Sequence, residues 1–271
     1  MLRLLLILST SIAFAAAAPG PHDVRLTLEP NFRDLRVVHV MAGQRPLTML
    51  VDTGAGVTAI SPEMAAAIGC TPHGRDVGHR MSGEAVTFQR CASLTLSSGS
   101  WSHAFEPVAV FDVGAMLPKE LPHVDGVLAL DAFRGHVITI DWSANAILVV
   151  EGSRERQAIA ATGTPFRAAT GETGRFLTAY LPVRGVRDHL WFLLDSANLR
   201  GTIVADSVIK DGQLPLAADG QAVLVVGSRA AVTSPYVAAP LAIDGALGTD
   251  YLKRAPVTLD VRMRNLRSSD R

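Results

Sequence analysis

Metal and phosphate chemistry are missing from this sequence. Its eight histidines are scattered, with no H-E-x-x-H and no i, i+4 pair inside one helical segment. Neither cysteine belongs to a C-x-x-C, so a zinc hydrolase has no ligand set and no metal is expected. No glycine-rich phosphate cradle of the G-x-G-x-x-G or P-loop kind occurs, and no cofactor is implied. Charged residues are only 18% of the chain and aromatics 6%, and Lys plus Arg equals Asp plus Glu at 25 each. No basic stretch is interleaved with aromatics, which argues against nucleic acid as a partner. What is plentiful is apolar residues, 48% of 271. That is enough for a substantial core in one large or two small domains and excludes a disordered chain.

The opening MLRLLLILSTSIAFAAAAPG sets Arg3 before an apolar run and ends on small residues with Ala-x-Ala spacing. This is the layout of a signal peptide over residues 1–18, cleaved near Ala18. The apolar run is shorter than the ~20 residues of a spanning helix, so no membrane span is expected in the mature chain. The mature protein is then expected in the periplasm or outside the cell, under oxidising conditions. Cys70 and Cys91 could bond there, closing a loop of about twenty residues. Two buried thiols that never meet are the alternative, because spacing alone cannot place their Cα atoms.

Strand signals dominate after the leader. LRVVHVMAG (35–43), PLTMLVD (46–52), SLTLSSGSW (93–101) and FEPVAVF (105–111) alternate or turn at Gly and Ser, and HVITIDW-SAN-AILVV (136–150) reads as a hairpin. Ser61-Pro62-Glu63 before MAAAIG supplies a cap, a first-turn proline and a stopping glycine for a short helix. The charged, aperiodic EGSRERQAIAATG (151–163) reads as a linker. The chain beyond it repeats the chain before it. LVDTGAGVTAI (50–60) is answered by LLDSANLRGTIV (193–204), and VDGVLALDAFRGHVITIDW (124–142) by IDGALGTDYLKRAPVTLDV (243–261). Two matches in the same order predict duplicated lobes, residues 19–150 and 164–271.

Each repeat carries one acid, Asp52 or Asp195, at the end of an apolar strand. A lone buried carboxylate costs several kcal/mol unless something satisfies it. Thr53 and Ser196 offer hydroxyls, and Gly54 and Gly56 let backbone amides approach. If a pseudo-twofold axis relates the lobes, Asp52 and Asp195 meet across it and share one proton. Such a pair activates a water with one member and protonates a carbonyl oxygen with the other.

These residues resemble the aspartic proteases, in particular the bacterial retropepsin-like ones. Asp52-Thr53-Gly54-Ala55 matches the family's catalytic loop, and Gly126-Val127-Leu128 with LDAF its later apolar-Gly segment. Asp195-Ser196 and Gly245-Ala246-Leu247 with GTDYL match them in the second lobe. The resemblance spans roughly Leu35 to Leu266 and rests on those four segments. It implies an all-β, bilobal pepsin/retropepsin-like fold of two pseudo-symmetric β-barrel lobes with short helices. It also implies an endopeptidase acting on peptide or protein substrates, a monomer with an intramolecular dyad and loop-packing roles for Gly126 and Gly245. By family placement, GHRMSGEAV (78–86) becomes a covering loop over the cleft with no catalytic role, since it lacks the tyrosine of a pepsin flap; an ordinary surface hairpin is the alternative. A dimer of first lobes is not needed, because the second lobe supplies its own acid.

The chain departs from the family where glycine is expected and Ala197 stands, followed by Asn198. Were φ positive there, a Cβ would cost ~1–2 kcal/mol. A two-lobed peptide-binding protein with impaired catalysis is therefore the alternative function. Asn198 could donate to Asp195 and favour its charge, so the expected holder of the shared proton is Asp52. Ser207-Val208-Ile209-Lys210 spells S-x-x-K, but no K-T-G or S-D-N accompanies it, and a helix start explains it as well.

Overall fold

Period-two burial organises the chain. In Arg36–Ala42 and Arg45–Val51, Val38, Val40, Leu47 and Met49 enter one apolar cluster, and Val37 and Leu50 enter another, the alternation of strands with both faces covered. The computed structural model describes residues 23–150, 163–171 and 173–268. The expected leader and nearly all of the expected linker lie outside them.

Arg36–Ala42 turns back into Arg45–Val51 at Gly43, whose φ of +62° suits a tight hairpin. Gly126–Leu128 then lies parallel to Met49–Val51, and Ala59–Ile60 antiparallel to Gly126–Val127. Val108–Val110 runs parallel to Ala59–Ile60. The second half repeats this order. Thr178–Arg184 pairs with His189–Leu194, Gly245–Leu247 lies parallel to Phe192–Leu194, and Thr202–Ala205 is antiparallel to Gly245 and Ala246 and parallel to Tyr236–Ala239. Close approach explains why both inserted strands begin with glycine. A Cβ on Gly126 would stand 2.2 Å from the Ala59 carbonyl oxygen, and one on Gly245 2.6 Å from that of Ile203.

The ends of the two repeats pair with each other. Val137–Asp141 is antiparallel to Val257–Asp260, with Thr139 opposite Thr258 and their hydroxyls 2.8 Å apart. These threonines are equivalent in the repeat, and Ile138 and Ile140 face Leu259 and Val257 on either side. The register is therefore symmetric about that pair, and a pseudo-twofold axis passes through it. Ala146–Val150 and Asn265–Ser268 extend the shared sheet on its two flanks. Trp142, which follows Val137–Asp141, is fully buried and donates its indole N–H to the Asp34 carbonyl at 3.0 Å. The larger sheets follow open strand paths, so the halves are not the closed β-barrels expected. The fold is mostly β, with short helices such as Pro62–Ala67, which starts on proline with Ser61 accepting from the Met64 N–H at 3.1 Å.

The turn expected at Gly and Ser in 93–101 separates two strands, Leu94–Ser98 and Trp101–Phe105, with Gly99 at φ +58°. One strand expectation needed correction. The stretch 105–111 breaks at Pro107, which has no N–H to donate to a ladder, and the strand resumes over Val108–Val110.

On the first half, His73–His79 and Ala85–Cys91 form a projecting hairpin, joined to the sheet through Val108–Val110. Cys70 and Cys91 are bonded, with Cα atoms 5.9 Å apart. Both strands of the hairpin hang within that ring.

Candidate functional site

Asp52 and Asp195 leave equivalent strand ends in equivalent ways. The Asp52 N–H donates to the Leu128 carbonyl and the Asp195 N–H to that of Leu247, both at 3.0 Å. Each inserted strand thus fixes where its aspartate emerges. The Gly54 N–H donates to Asp52 Oδ1 at 2.8 Å, and the Ala197 N–H to Asp195 Oδ1 at 3.1 Å.

Thr53 and Ser196 are buried between the two turns, and their hydroxyls serve the opposite half rather than the carboxylates. Thr53 N–H donates to Ser196 Oγ and Ser196 N–H to Thr53 Oγ1, each at 3.0 Å. Thr53 Oγ1 donates to the Leu194 carbonyl at 2.7 Å, and Ser196 Oγ to that of Val51 at 2.9 Å. Four reciprocal bonds between fully buried groups leave the two turns little freedom to separate. The Asp195 carboxylate rests against Gly54, where a Cβ would lie 2.7 Å from Cγ and 2.9 Å from Oδ1.

Burial pushes both carboxyls up. The Asp52 charge raises Asp195 further, well above the usual carboxylate range, despite the Ala197 and Asn198 N–H groups. On Asp52 the effect of burial is opposed by the Gly54 and Ala55 N–H groups and by a hydrogen bond from Asp195. That bond couples the two carboxyls, so they titrate as a pair and the proton they retain belongs to both. Asp195 is the more enclosed, 8% exposed, whereas Asp52 is half-buried. The Asn198 side chain, expected to donate to Asp195, does not do so. It turns away, Nδ2 donating to the Gly201 carbonyl and Oδ1 accepting from the Arg200 N–H. Ala197 is free of strain: the non-glycine residues of positive φ among the described ones are Arg33, Asn145 and Arg264. Ala197 and Leu199 pack with Phe111, Leu117 and Leu121 on the apolar cluster around Leu50.

A second tier of acids holds the turns, and sequence reasoning gave these residues no role. Asp131 accepts from the Thr58 N–H at 3.0 Å and the Thr58 hydroxyl at 2.6 Å. In the other half Asp250 accepts from the Thr202 N–H at 3.1 Å and the Thr202 hydroxyl at 2.8 Å. The signal was available: both acids sit in the repeated segments LDAF and TDYL, and both threonines follow the aspartate turns. Burial raises Asp131 to about 6 against these bonds.

The projecting hairpin reaches the second half. At its tip the Ala242 N–H donates to the Met81 carbonyl at 2.8 Å, and along its stem Phe88 meets Phe176 edge-on with ring centres 6.0 Å apart. Ser207 and Lys210 lie in the short helix Asp206–Lys210. Among the described residues no helix is long and apolar enough to cross a membrane, and no three His, Cys, Asp or Glu side chains gather as a metal site.

A family model described as aspartyl protease matches residues 38–132, which hold Asp52 and Asp131. Solved structures share the architecture over nearly the whole chain. Basic 7S globulin from soybean aligns with TM-score 0.53 and 9% identity, over 91% of this chain and 94% of that one. Conglutin gamma, a unique basic 7S globulin from lupine seeds, gives TM-score 0.53 and 10% identity over 91% and 94%. The structure titled edgp gives TM-score 0.55 and 10% identity over 94% and 96%. No curated protein matches this chain in sequence. The fold is thus an aspartic-protease-like one, and the family likeness in sequence lies in the first half.

Proposed function

We propose that this chain is an exported, monomeric aspartic endopeptidase whose two halves, residues 19–150 and 164–271, are its lobes. The observation that carries the reading is the reciprocal Thr53–Ser196 lock, which holds two carboxyls of raised pKa side by side at equivalent strand ends. Ionised Asp52 takes a proton from a water held between the carboxyls, and the water oxygen attacks the peptide carbonyl carbon. Asp195 gives its proton to the carbonyl oxygen as that attack proceeds, forming a neutral gem-diol. Asp52 then passes its proton to the leaving nitrogen as the C–N bond breaks, and a diol hydroxyl returns one to Asp195. The raised pKa of Asp195 keeps the acid loaded, and the Gly54 N–H keeps the base ionised. Phe111, Leu117 and Leu121 beside Ala197 and Leu199 offer an apolar wall to a substrate side chain.

The test is Asp52→Asn, which keeps the Gly54 N–H partner but cannot act as the base. Turnover of a peptide library should fall at least ~1,000-fold, with the thermal transition intact. An Asp52→Asn protein that cleaves as fast as the parent sinks the mechanism. The second reading is a two-lobed peptide-binding protein with impaired catalysis, and the absence of strain at Ala197 weakens it. A parent that binds a transition-state-like peptide but cleaves nothing decides for that reading.

A further inference from the structure

The segment 173–178 of the second half is docked into the first half beside the Asp52 turn. One Arg134 terminal nitrogen donates to the carbonyls of Arg175 and Phe176. The Leu177 N–H donates to the Gly56 carbonyl at 2.6 Å. Arg134 follows the short helix Leu130–Phe133, whose Asp131 holds Thr58. Thr58, Asp131, Arg134, Phe176, Leu177 and Gly56 therefore close a ring of polar contacts around the turn that leaves Asp52.

The Phe176 ring projects from this segment into a socket floored by three glycines. A Cβ would stand 3.1 Å from the ring at Gly56, 2.8 Å at Gly171 and 3.4 Å at Gly78. Gly56 belongs to the Asp52 turn, Gly78 to the stem of the projecting hairpin, and Phe88 of the same stem meets the ring edge-on. The residual space around it is small, about 20 Å³, and is lined by Val57, Phe88, Arg90, Ala109, Arg175 and Phe176 among others. One side chain thus touches both the turn and the hairpin.

Symmetry does not require this. In the opposite direction Lys253, three residues after Asp250 as Arg134 is after Asp131, pairs with Asp34 through exposed side chains. The hairpin of the second half, Ala222–Leu224 with Val232–Ser234, is not joined to the Tyr236–Ala239 edge. The Phe176 ring lies where the hairpin His73–His79 with Ala85–Cys91 comes down on the Asp52 turn.

We propose that Phe176 is a positioning residue: its ring sets the spacing between the Asp52 turn and the overhanging hairpin, and so the gap that an extended peptide must fill. The role rests on the endopeptidase reading for its substrate. In turnover, the hairpin covers the peptide while the turn holds the base. A ring touching both keeps the bound carbonyl at its distance from the dyad, where about 1 Å of misplacement costs on the order of 100-fold in rate.

The test compares the full-length parent with Phe176→Ala and Phe176→Leu, at a temperature where all three are folded by circular dichroism. With a fluorogenic peptide, Phe176→Ala should lower kcat at least ~10-fold, and Phe176→Leu should recover to within about threefold of the parent. Mere packing between the halves predicts a lower thermal midpoint with kcat and KM of the folded protein within about twofold of the parent, and that result overturns the proposal. Amide exchange gives a readout independent of activity. Phe176→Ala should speed exchange together in the Asp52–Thr58 turn and in the Val77–Phe88 hairpin, with the Ala222–Leu224 hairpin unchanged. Faster exchange in only one of the two, or in neither, overturns the coupling. If neither parent nor variant cleaves any peptide, the endopeptidase reading falls and the exchange result alone decides the positioning.

Discussion

The carboxylate of Asp195 lies against the bare Cα of Gly54, so the acid of one half is seated on the turn of the other. A Cβ at Gly54 would meet Asp195 Cγ at 2.7 Å, closer than real side chains approach. Position 197 is the equivalent place in the second half, and it carries a methyl group without strain. The pair is therefore asymmetric. Gly54→Ala should push Asp195 out of line and lower kcat at least ~100-fold. Ala197→Gly should lower stability by ~0.4–1 kcal/mol through the unfolded chain and leave turnover within a few-fold. Steady-state kinetics and urea melts on both variants check this. Equal activity of Gly54→Ala and the parent would remove the seating argument, and a large gain of turnover in Ala197→Gly would mark the natural protein as disabled.

The pH–rate profile should be bell-shaped, with both limbs belonging to the pair. As pH falls, the pair takes up a second proton and the base is lost; burial places that limb above the ordinary aspartate range. As pH rises, the pair loses the shared proton, and the strongly raised pKa of Asp195 carries that limb well above the usual carboxylate range. Measurement of kcat/KM across pH decides it. A rate that stays flat from neutral into strongly alkaline solution contradicts the assignment.

Asp131 makes stability fall as pH rises. Its ordinary value is 3.8 and in the folded chain it is raised to about 6. Between those values the folded chain holds more protons than the unfolded one. The contribution is complete below the unfolded value and is lost as pH rises through the folded one, amounting to about 3 kcal/mol by pH 7. Asp131→Asn should remove that share. Urea midpoints at pH 4 and pH 7 should therefore separate less in the variant than in the parent. An unchanged difference would show that the carboxyl is not buried and protonated as described.

The acids and the inserted glycines were legible because they are local. An apolar strand ending in Asp, followed by small residues, appears twice in the sequence, and so does Gly-apolar-apolar before a short helix. Duplication exposed what a single copy would have hidden. The turn of the Asn198 side chain was not legible, because its partners are backbone groups of its own loop, Gly201 and Arg200. Phe176 and Arg134 were not legible either. They act on the opposite half through backbone carbonyls and ring edges, and such contacts impose no period or composition on the residues beside them. Asp131 and Asp250 were present in the quoted repeats, but only their bonds to Thr58 and Thr202 give them a role.

The pairing of Thr139 with Thr258 has a consequence for half of the molecule alone. Because the register is symmetric about that pair, the strand Val137–Asp141 is self-complementary: two copies laid antiparallel with Thr139 opposite Thr139 reproduce nearly the same contacts. At the site, Thr53 would face a second Thr53 where it now faces Ser196, hydroxyl for hydroxyl. Residues 23–150 produced alone would expose that edge, and an open edge templates its own kind. Sedimentation of this fragment should show a twofold dimer with two Asp52 carboxyls at its axis. A monomer would mean that the second half does more than cover an edge.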